Sequence, residues 1–415
     1  MDAPGLARQT AIYLAGVAGR RPRVPTDATR LEARAERAMS RDAFAYIAGG
    51  AGTGATMRAN RAAFDRHRIV PRMLRDVSKR DQRVELLGRT LPSPFLVAPI
   101  GVLEMVHRQA DVAVARAARS RGIPMVLSNQ ASRPMEEVAR ALGDTPRIFQ
   151  LYWSTEDELV ASFARRAENI GADAIVITLD TTLLGWRTHD LDRGYLPFLR
   201  GKGIAQYTSD EVFRRIMRTP AASAPAPRPT LKAIQTLIQL IRAYPERFNP
   251  SDARAAVQRF TQIYSRPSLE WDTIRFLRDR TKLPILLKGI LHPDDASRAV
   301  EEGFDGIVVS NHGGRQVDGA IATLDALPGI AAAVGGRMPV LLDSGIRSGA
   351  DVFKALALGA DAVLLGRPYC YGLALAGEAG VTEVLENFQA DFDLTMGLSG
   401  CTSVAEIGPE ALADA

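Results

Sequence analysis

The stretch that decides the fold reads Pro284-Ile285-Leu286-Leu287-Lys288-Gly289, then a helix-like segment containing Ala296, Arg298, Ala299, Glu301 and Glu302, then Gly306-Ile307-Val308-Val309-Ser310-Asn311. Two short apolar runs separated by a helical stretch give the strand-helix-strand alternation of a parallel sheet. The runs are continuously apolar, so both faces of each strand are expected to be buried.

Outward from this unit the same pattern recurs from about residue 94 onward. Eight such runs occupy 94–100, 124–129, 147–152, 174–180, 284–289, 306–311, 339–345 and 362–367. Eight strands with intervening helices match the number that closes a (β/α)8 barrel, the TIM barrel of the α/β class; an open doubly wound sheet is the alternative. Between the fourth and fifth runs lies an insertion over 191–267, with a Pro/Ala-rich patch at 219–230. Insertions of this length at a barrel mouth serve as lids or run as surface loops. Upstream, 29–48 has helical apolar spacing and is expected to pack across one end of the barrel. The chain thus reads as one domain over 1–415, with an N-terminal helical segment at 1–90, the barrel at 91–415 and the lid insertion inside it.

Composition fits this reading. Of 415 residues 46% are hydrophobic and 24% charged, ordinary values for a packed globular protein. The net charge of +5 comes from scattered arginines rather than a basic block, which argues against a nucleic-acid partner. The apolar run at 11–18 is too short to span a bilayer, and its arginines follow it, so neither membrane insertion nor secretion is expected. Two cysteines, Cys370 and Cys401, make no disulfide framework and no metal-ligand spacing, which fits a reducing compartment, the cytoplasm.

In a barrel the chemistry gathers at the carboxyl ends of the strands. Here those ends read Gln150-Leu151-Tyr152, Thr178-Leu179-Asp180, Lys288-Gly289, Ser310-Asn311-His312, Asp343-Ser344-Gly345 and Gly366-Arg367. His312, one of five histidines, is a candidate general base, and Asp180 a candidate to hold its imidazole; Asp180 also reads as a helix cap in Asp180-Thr181-Thr182. Arg187 and Arg315 can grip a carboxylate by two-point contacts. Lys288, ending a strongly apolar run, is costly unless it faces an anion, such as a reduced flavin ring. The segment Asp343-Ser344-Gly345-Ile346-Arg347 and the pair Gly366-Arg367 follow runs seven and eight, where barrels bind phosphate. Gly50-Ala51-Gly52-Thr53-Gly54-Ala55 formally satisfies a dinucleotide fingerprint, but it follows a helical stretch instead of a strand and reads as a turn.

With these residues in view, the chain resembles the FMN-dependent 2-hydroxy-acid oxidase and dehydrogenase family from about Tyr46 to Gly408. The resemblance rests on Ser310-Asn311-His312-Gly313-Gly314-Arg315-Gln316, Phe149-Gln150-Leu151-Tyr152, Leu184-Gly185-Trp186-Arg187, Leu287-Lys288-Gly289 and Asp343-Ser344-Gly345-Ile346-Arg347. It implies FMN as cofactor, His312 as base with Asp180 as its partner, and Lys288 and Tyr152 as further catalytic residues. Tyr46, Arg187 and Arg315 are implied to bind the substrate carboxylate, and Tyr152 its hydroxyl. FMN is implied to lie against Pro99, Ile100, Gly101, Ser128, Gln150, Thr178, Lys288, Ser310, Asp343, Gly345, Arg347, Gly366 and Arg367.

The chain departs from the family in two places. It has Asp343-Ser344-Gly345 where the family often has Asp-Gly-Gly, and Gln130 where an aromatic is common. Within the family, Gly101 and the insertion from Gly194-Tyr195-Leu196-Pro197-Phe198 through Gly201-Lys202-Gly203-Ile204-Ala205-Gln206-Tyr207-Thr208-Ser209-Asp210 most resemble L-lactate 2-monooxygenase. The implied partners are a small L-2-hydroxy acid and O2, and the implied assembly is a homotetramer or homo-octamer. An oxidase releasing 2-oxo acid and H2O2, a dehydrogenase passing electrons to a quinone, a flavin-binding barrel without redox activity and a phosphate-binding isomerase stand as alternatives.

Overall fold

The computed structural model describes residues 4–218, 235, 236, 238, 240 and 250–414. Eight parallel strands close into a barrel: β1 Phe95–Val97, β2 Met125–Leu127, β3 Arg147–Leu151, β4 Ala174–Thr178, β5 Ile285–Ile290, β6 Gly306–Val309, β7 Val340–Leu342 and β8 Ala362–Leu365. Neighbours follow sequence order around the ring, and β8 pairs with β1 through Leu364 opposite Leu96. The (β/α)8 fold expected from the apolar runs is therefore present. Most runs extend past their strands, because their last residues turn into the strand-to-helix loops where ladder bonding ends.

Strand periodicity explains the inside of the barrel. Every second residue points inward, and Leu96, Val126, Ile148, Val176, Leu286, Val308, Leu341 and Leu364 form one buried cluster separate from the outer core. Continuing each alternation toward the carboxyl end reaches Ala98, Ser128, Gln150 and Tyr152, Thr178, Lys288, Ser310, Asp343 and Gly366. The same geometric rule that fills the barrel with aliphatic side chains thus delivers a polar layer at its top. The opposite end is plugged by the hairpin Val84–Leu86 with Arg89–Leu91, whose Leu86 and Leu91 join the interior cluster.

Upstream residues form four helices, α1 Pro4–Val17, α2 Ala28–Ala38, α3 Arg41–Ala48 and α4 Ala55–Asp65. The helical stretch expected over 29–48 is two helices, because Ser40 interrupts it and caps α3 by accepting from the Ala43 N–H at 3.2 Å. Residues 49–54 form the turn into α4, with Gly52 and Gly54 at positive φ. Short strands occupy the rest of the upstream segment, including His67–Ile69, which pairs with Leu412–Asp414.

The described part of the insertion is a wall built onto the barrel. Phe198, Tyr207, Phe213, Phe260 and Tyr264 pack edge to face, tilted or, for Phe260 on Tyr264, stacked on one another, with Tyr207 and Phe260 centroids 4.8 Å apart. Tyr207 and Phe163 meet at 5.1 Å, tying this cluster to the helix Asp157–Asn169. Gln206 accepts from the Met135 N–H at 2.9 Å, and Arg166 pairs with Asp210 at 3.2 Å. The Pro/Ala-rich patch at 219–230 lies outside the described residues. Among those residues no helix is long and apolar enough to cross a membrane.

Candidate active site

The carboxyl end of the barrel opens into a cleft, and His312 sits in its wall directly after β6. Its Nδ1 lies 2.7 Å from Asp180 Oδ1, just beyond the end of β4. Burial would raise the Asp180 pKa, but His312, Lys288 and hydrogen bonding outweigh it and bring it down to about 2. An ionised carboxylate only accepts, so Nδ1 carries the proton and Nε2 holds the lone pair of the neutral ring. Burial lowers the His312 pKa below the ordinary imidazole value, and Asp180 offsets part of that. The imidazole is therefore neutral at pH 7 and able to take a proton. Thr181 Oγ1 reaches both partners, Asp180 Oδ1 at 2.9 Å and His312 Nδ1 at 3.2 Å. No helix starts at Asp180; its side chain serves the histidine.

Lys288 is almost fully buried at the top of β5, with Nζ 2.8 Å from Ser310 Oγ and 3.0 Å from Asp343 Oδ2. Burial alone would lower its pKa, yet Asp343 and Asp180 hold it above the ordinary lysine value. Ser310 Oγ also donates to Asp343 at 2.7 Å and accepts the His312 N–H at 3.0 Å. One serine thus joins the cation of β5, the carboxylate of β7 and the backbone of the histidine.

Two arginines face the cleft beside His312. Arg187 donates to Gln316 Oε1 at 2.8 Å and to the Arg315 carbonyl at 3.2 Å. Arg315 donates to the carbonyls of Tyr46 at 2.5 Å and Gly49 at 2.8 Å, and its guanidinium stands 5.0 Å from the centre of the Tyr46 ring. Among the described residues neither pairs with a carboxylate. Burial and the like charge of Arg187 pull the Arg315 pKa down to about 9, and Tyr46 and Asp190 offset part of that. Tyr152, buried at the end of β3, completes this side, its hydroxyl pKa pushed up by burial.

At the far side of the cleft stand Arg347 and Arg367, again without a carboxylate partner among the described residues. Arg367 donates to the carbonyls of Ile47, Gly313 and Gly49, each at 3.0 Å, and through Nη2 to Met57 Sδ at 3.7 Å, which leaves an N–H on Nη1 for a further acceptor. Gly366 starts the helix Arg367–Leu398 with no side-chain cap. The helix Gly349–Ala357, by contrast, has its first turn closed by a capping box of Ser348 and Asp351. Of these two helices, the one that begins at Arg367 keeps its N-terminus free of a side-chain cap.

The buried polar layer tests whether FMN fits. Gln150 Oε1 accepts the Asn129 N–H at 3.0 Å, which fixes the amide and turns Nε2 away with no partner. Thr178 Oγ1 is likewise buried without a partner. Both line the cleft with Lys288, Pro99, Ile100 and Gly101, so unmet donors and a cation converge as a flavin pyrimidine ring requires. The arginines at the far side suit a phosphate, and Gly345, at φ +88 with Asn60 O 2.8 Å from where a Cβ would stand, keeps that wall close.

Of the residues singled out from sequence, Tyr46, Pro99, Ile100, Gly101, Gln150, Tyr152, Thr178, Arg187, Lys288, His312, Arg315, Asp343, Gly345, Arg347, Gly366 and Arg367 line one cleft. Asp180, Ser128 and Ser310 stand behind that wall, each bonded to a residue in it or to its backbone. Sequence reading did not assign Thr181, Ser344, Phe198 or Tyr264 to the site. Adjacency to Asp180 was the available signal for Thr181; the aromatics of the insertion carry no spacing that would mark them.

A barrel with a histidine-carboxylate pair, two cleft-lining arginines without a carboxylate partner among the described residues and a polar layer suited to a flavin fits the flavin-dependent oxidoreductases of 2-hydroxy acids. Residues 35–414 match the FMN-dependent dehydrogenase family, and the chain belongs to it, with FMN as its cofactor. It is 43% identical over 362 residues to an L-lactate oxidase of Lysinibacillus sphaericus (strain C3-41), covering 87% of this chain and 86% of that protein. It is 42% identical over 405 residues to the FMN-dependent alpha-hydroxy acid dehydrogenase qulF of Penicillium citrinum, covering 97% and 94%. A crystal structure of mandelate oxidase superposes with a TM-score of 0.76 at 35% identity, over 94% of this chain and 99% of that one.

Proposed function

We propose that the chain oxidises L-lactate with FMN and O2 and releases acetate, carbon dioxide and water, the reaction of an L-lactate 2-monooxygenase. The observation that carries the oxidation is the His312–Asp180 pair at 2.7 Å beside two cleft-lining arginines that form no ion pair with a carboxylate among the described residues. Arg187 and Arg315, with Tyr46, receive the substrate carboxylate by forked contacts. Tyr152 orients the hydroxyl, and His312 Nε2 takes its proton. Asp180 then stabilises the imidazolium it already holds. FMN, when bound, would supply the acceptor for the hydrogen and electron pair released as the bond between carbon 2 and its hydrogen breaks; those electrons would pass to O2, which with that hydrogen and the proton taken by His312 becomes H2O2 beside pyruvate. The chain's own contribution is to hold the carboxylate, place the base and exclude water.

The insertion supports the monooxygenase outcome. Phe198 and Tyr264 line the cleft from a wall anchored to the barrel, and such a wall retains both products. Peroxide then attacks carbon 2 of pyruvate, the carbon 1–carbon 2 bond and the peroxide O–O bond break together, carbon 1 leaves as carbon dioxide, the distal oxygen leaves as water, and acetate remains. A second reading, an oxidase that releases pyruvate and H2O2, is favoured by the relatives named as oxidases.

L-lactate added without oxygen should bleach the flavin; after air is admitted, acetate and carbon dioxide should appear in equal amounts. Stoichiometric pyruvate and peroxide without acetate would overturn the monooxygenase reading and leave the oxidase, and a flavin that lactate does not bleach would overturn lactate as substrate. A cytoplasmic tetramer or octamer belongs to the same proposal, checked by light scattering.

A further inference from the structure

The turn that carries His312 is strained and pinned at each step. His312, Gly313 and Gly314 follow one another at φ +57, +66 and +74, a left-handed run that costs a residue with a Cβ. Each N–H of the turn is captured by a different side chain: His312 by Ser310 Oγ at 3.0 Å, Gly313 by Ser344 Oγ at 2.9 Å and Gly314 by Asn311 Oδ1 at 3.0 Å. Two of these captors are themselves supported. Ser310 is held by Lys288 and Asp343, and Asn311 exchanges two amide bonds of 2.8 Å with Asn60 of α4.

Ser344 is the odd member. It lies at φ +85 at the end of β7, a conformation in which glycine is free and serine is not. It is buried, and its carbonyl accepts only a long bond of 3.4 Å from Thr323 Oγ1. A serine retained there against backbone strain offers one thing that glycine lacks, a hydroxyl, and that hydroxyl is on the Gly313 N–H.

We infer that Ser344 is a positioning residue: by holding the Gly313 N–H it fixes the peptide between His312 and Gly313, and with it the direction of the imidazole. The inference rests on His312 acting as the base. Without the serine oxygen the Gly313 N–H, in a half-buried turn lining the cleft, loses its side-chain acceptor, a state the peptide relieves by rotating. Rotation there changes ψ of His312 and draws its ring away from Asp180. The Gly313 carbonyl, which accepts from Arg367 at 3.0 Å, and Arg315 two residues on move with it.

Two substitutions separate hydroxyl from strain. Ser344→Ala deletes the hydroxyl and keeps the strain; Ser344→Gly deletes the hydroxyl and removes the strain. Both should lower kcat about tenfold, and both should move the acid limb of kcat/KM to lower pH, because a loosened Asp180 contact no longer raises the His312 pKa. Without turnover, both should shift the pH dependence of pyruvate binding, read from the flavin spectrum, in the same direction. Thermal midpoints should diverge, with the alanine variant melting below the glycine variant; if alanine fails to fold, glycine carries the test. A glycine variant with unchanged kcat and acid limb overturns the inference, even if its melting point moves. His312→Gln separates the two readings: an active His312→Gln enzyme removes the base assignment itself, whereas an inactive one beside a wild-type-like Ser344→Gly enzyme removes only the role of Ser344.

Discussion

At the scale of single residues, burial and charge pull His312 in opposite directions. Burial lowers its pKa, and the Asp180 carboxylate 2.7 Å away raises it. The base must be neutral to accept a proton, so kcat/KM should fall as pH drops through a pKa below the ordinary value of about 6.5. Replacing Asp180 by Asn removes the raising influence and leaves the lowering one. The acid limb should therefore move to lower pH, while kcat falls by about 10²–10⁴-fold because the imidazolium loses its counter-charge. A limb that moves to higher pH, or a kcat that survives, would show that Asp180 does not act through His312. The charge logic of this pair was legible in the sequence, since both residues end apolar runs. The positive φ of His312 and the strain at Ser344 were not, because they arise from how two strand ends meet.

At the scale of elements, the barrel was readable and the insertion was not, for a physical reason. Strands buried on both faces give continuous apolar runs, and these mark number and order. They hide the alternation that puts Gln150, Thr178 and Lys288 inward, because both faces are apolar until the last turn of each strand. Among the described residues of the insertion only the helix Pro250–Ile263 shows a period, burying Ala253, Ala256, Val257, Phe260 and Ile263; Phe198, Tyr207, Phe213, Phe260 and Tyr264 come together only when the chain is folded. One of its links to the barrel strands is Tyr207, whose hydroxyl donates to Asn129 Oδ1 at 3.1 Å, while that Asn129 oxygen also accepts the Tyr152 N–H at 3.3 Å. One amide thus ties the insertion to the backbone of the cleft-lining Tyr152. Tyr207→Phe should cost about 1 kcal/mol of stability, measurable by urea unfolding. It should also raise the fraction of turnovers ending as free pyruvate and peroxide. If the product ratio is unchanged in a folded Tyr207→Phe enzyme, the wall does not control escape.

At the scale of the whole molecule, the barrel is polarised along its axis: a hairpin of Leu86 and Leu91 closes one end, and four arginines without carboxylate partners among the described residues ring the other. Holding such cations in a buried cleft destabilises the protein unless anions neutralise them. The far pair, Arg347 and Arg367, is suited to the phosphate of FMN, and the near pair, Arg187 and Arg315, to a carboxylate. Folding stability should therefore be restored in two separable steps. FMN should raise the thermal midpoint of the flavin-free protein, and pyruvate should raise it again once FMN is saturating, since a ligand at a hundredfold its Kd adds about 2.7 kcal/mol to the native state. Arg315→Ala should abolish the second step and leave the first, and the flavin-free Arg315→Ala protein should be no less stable than the flavin-free parent, because a buried unpaired charge has gone. A pyruvate step that persists in Arg315→Ala would place the carboxylate elsewhere. Destabilisation of the flavin-free variant would mean that the bonds from Arg315 to the Tyr46 and Gly49 carbonyls outweigh the cost of its charge.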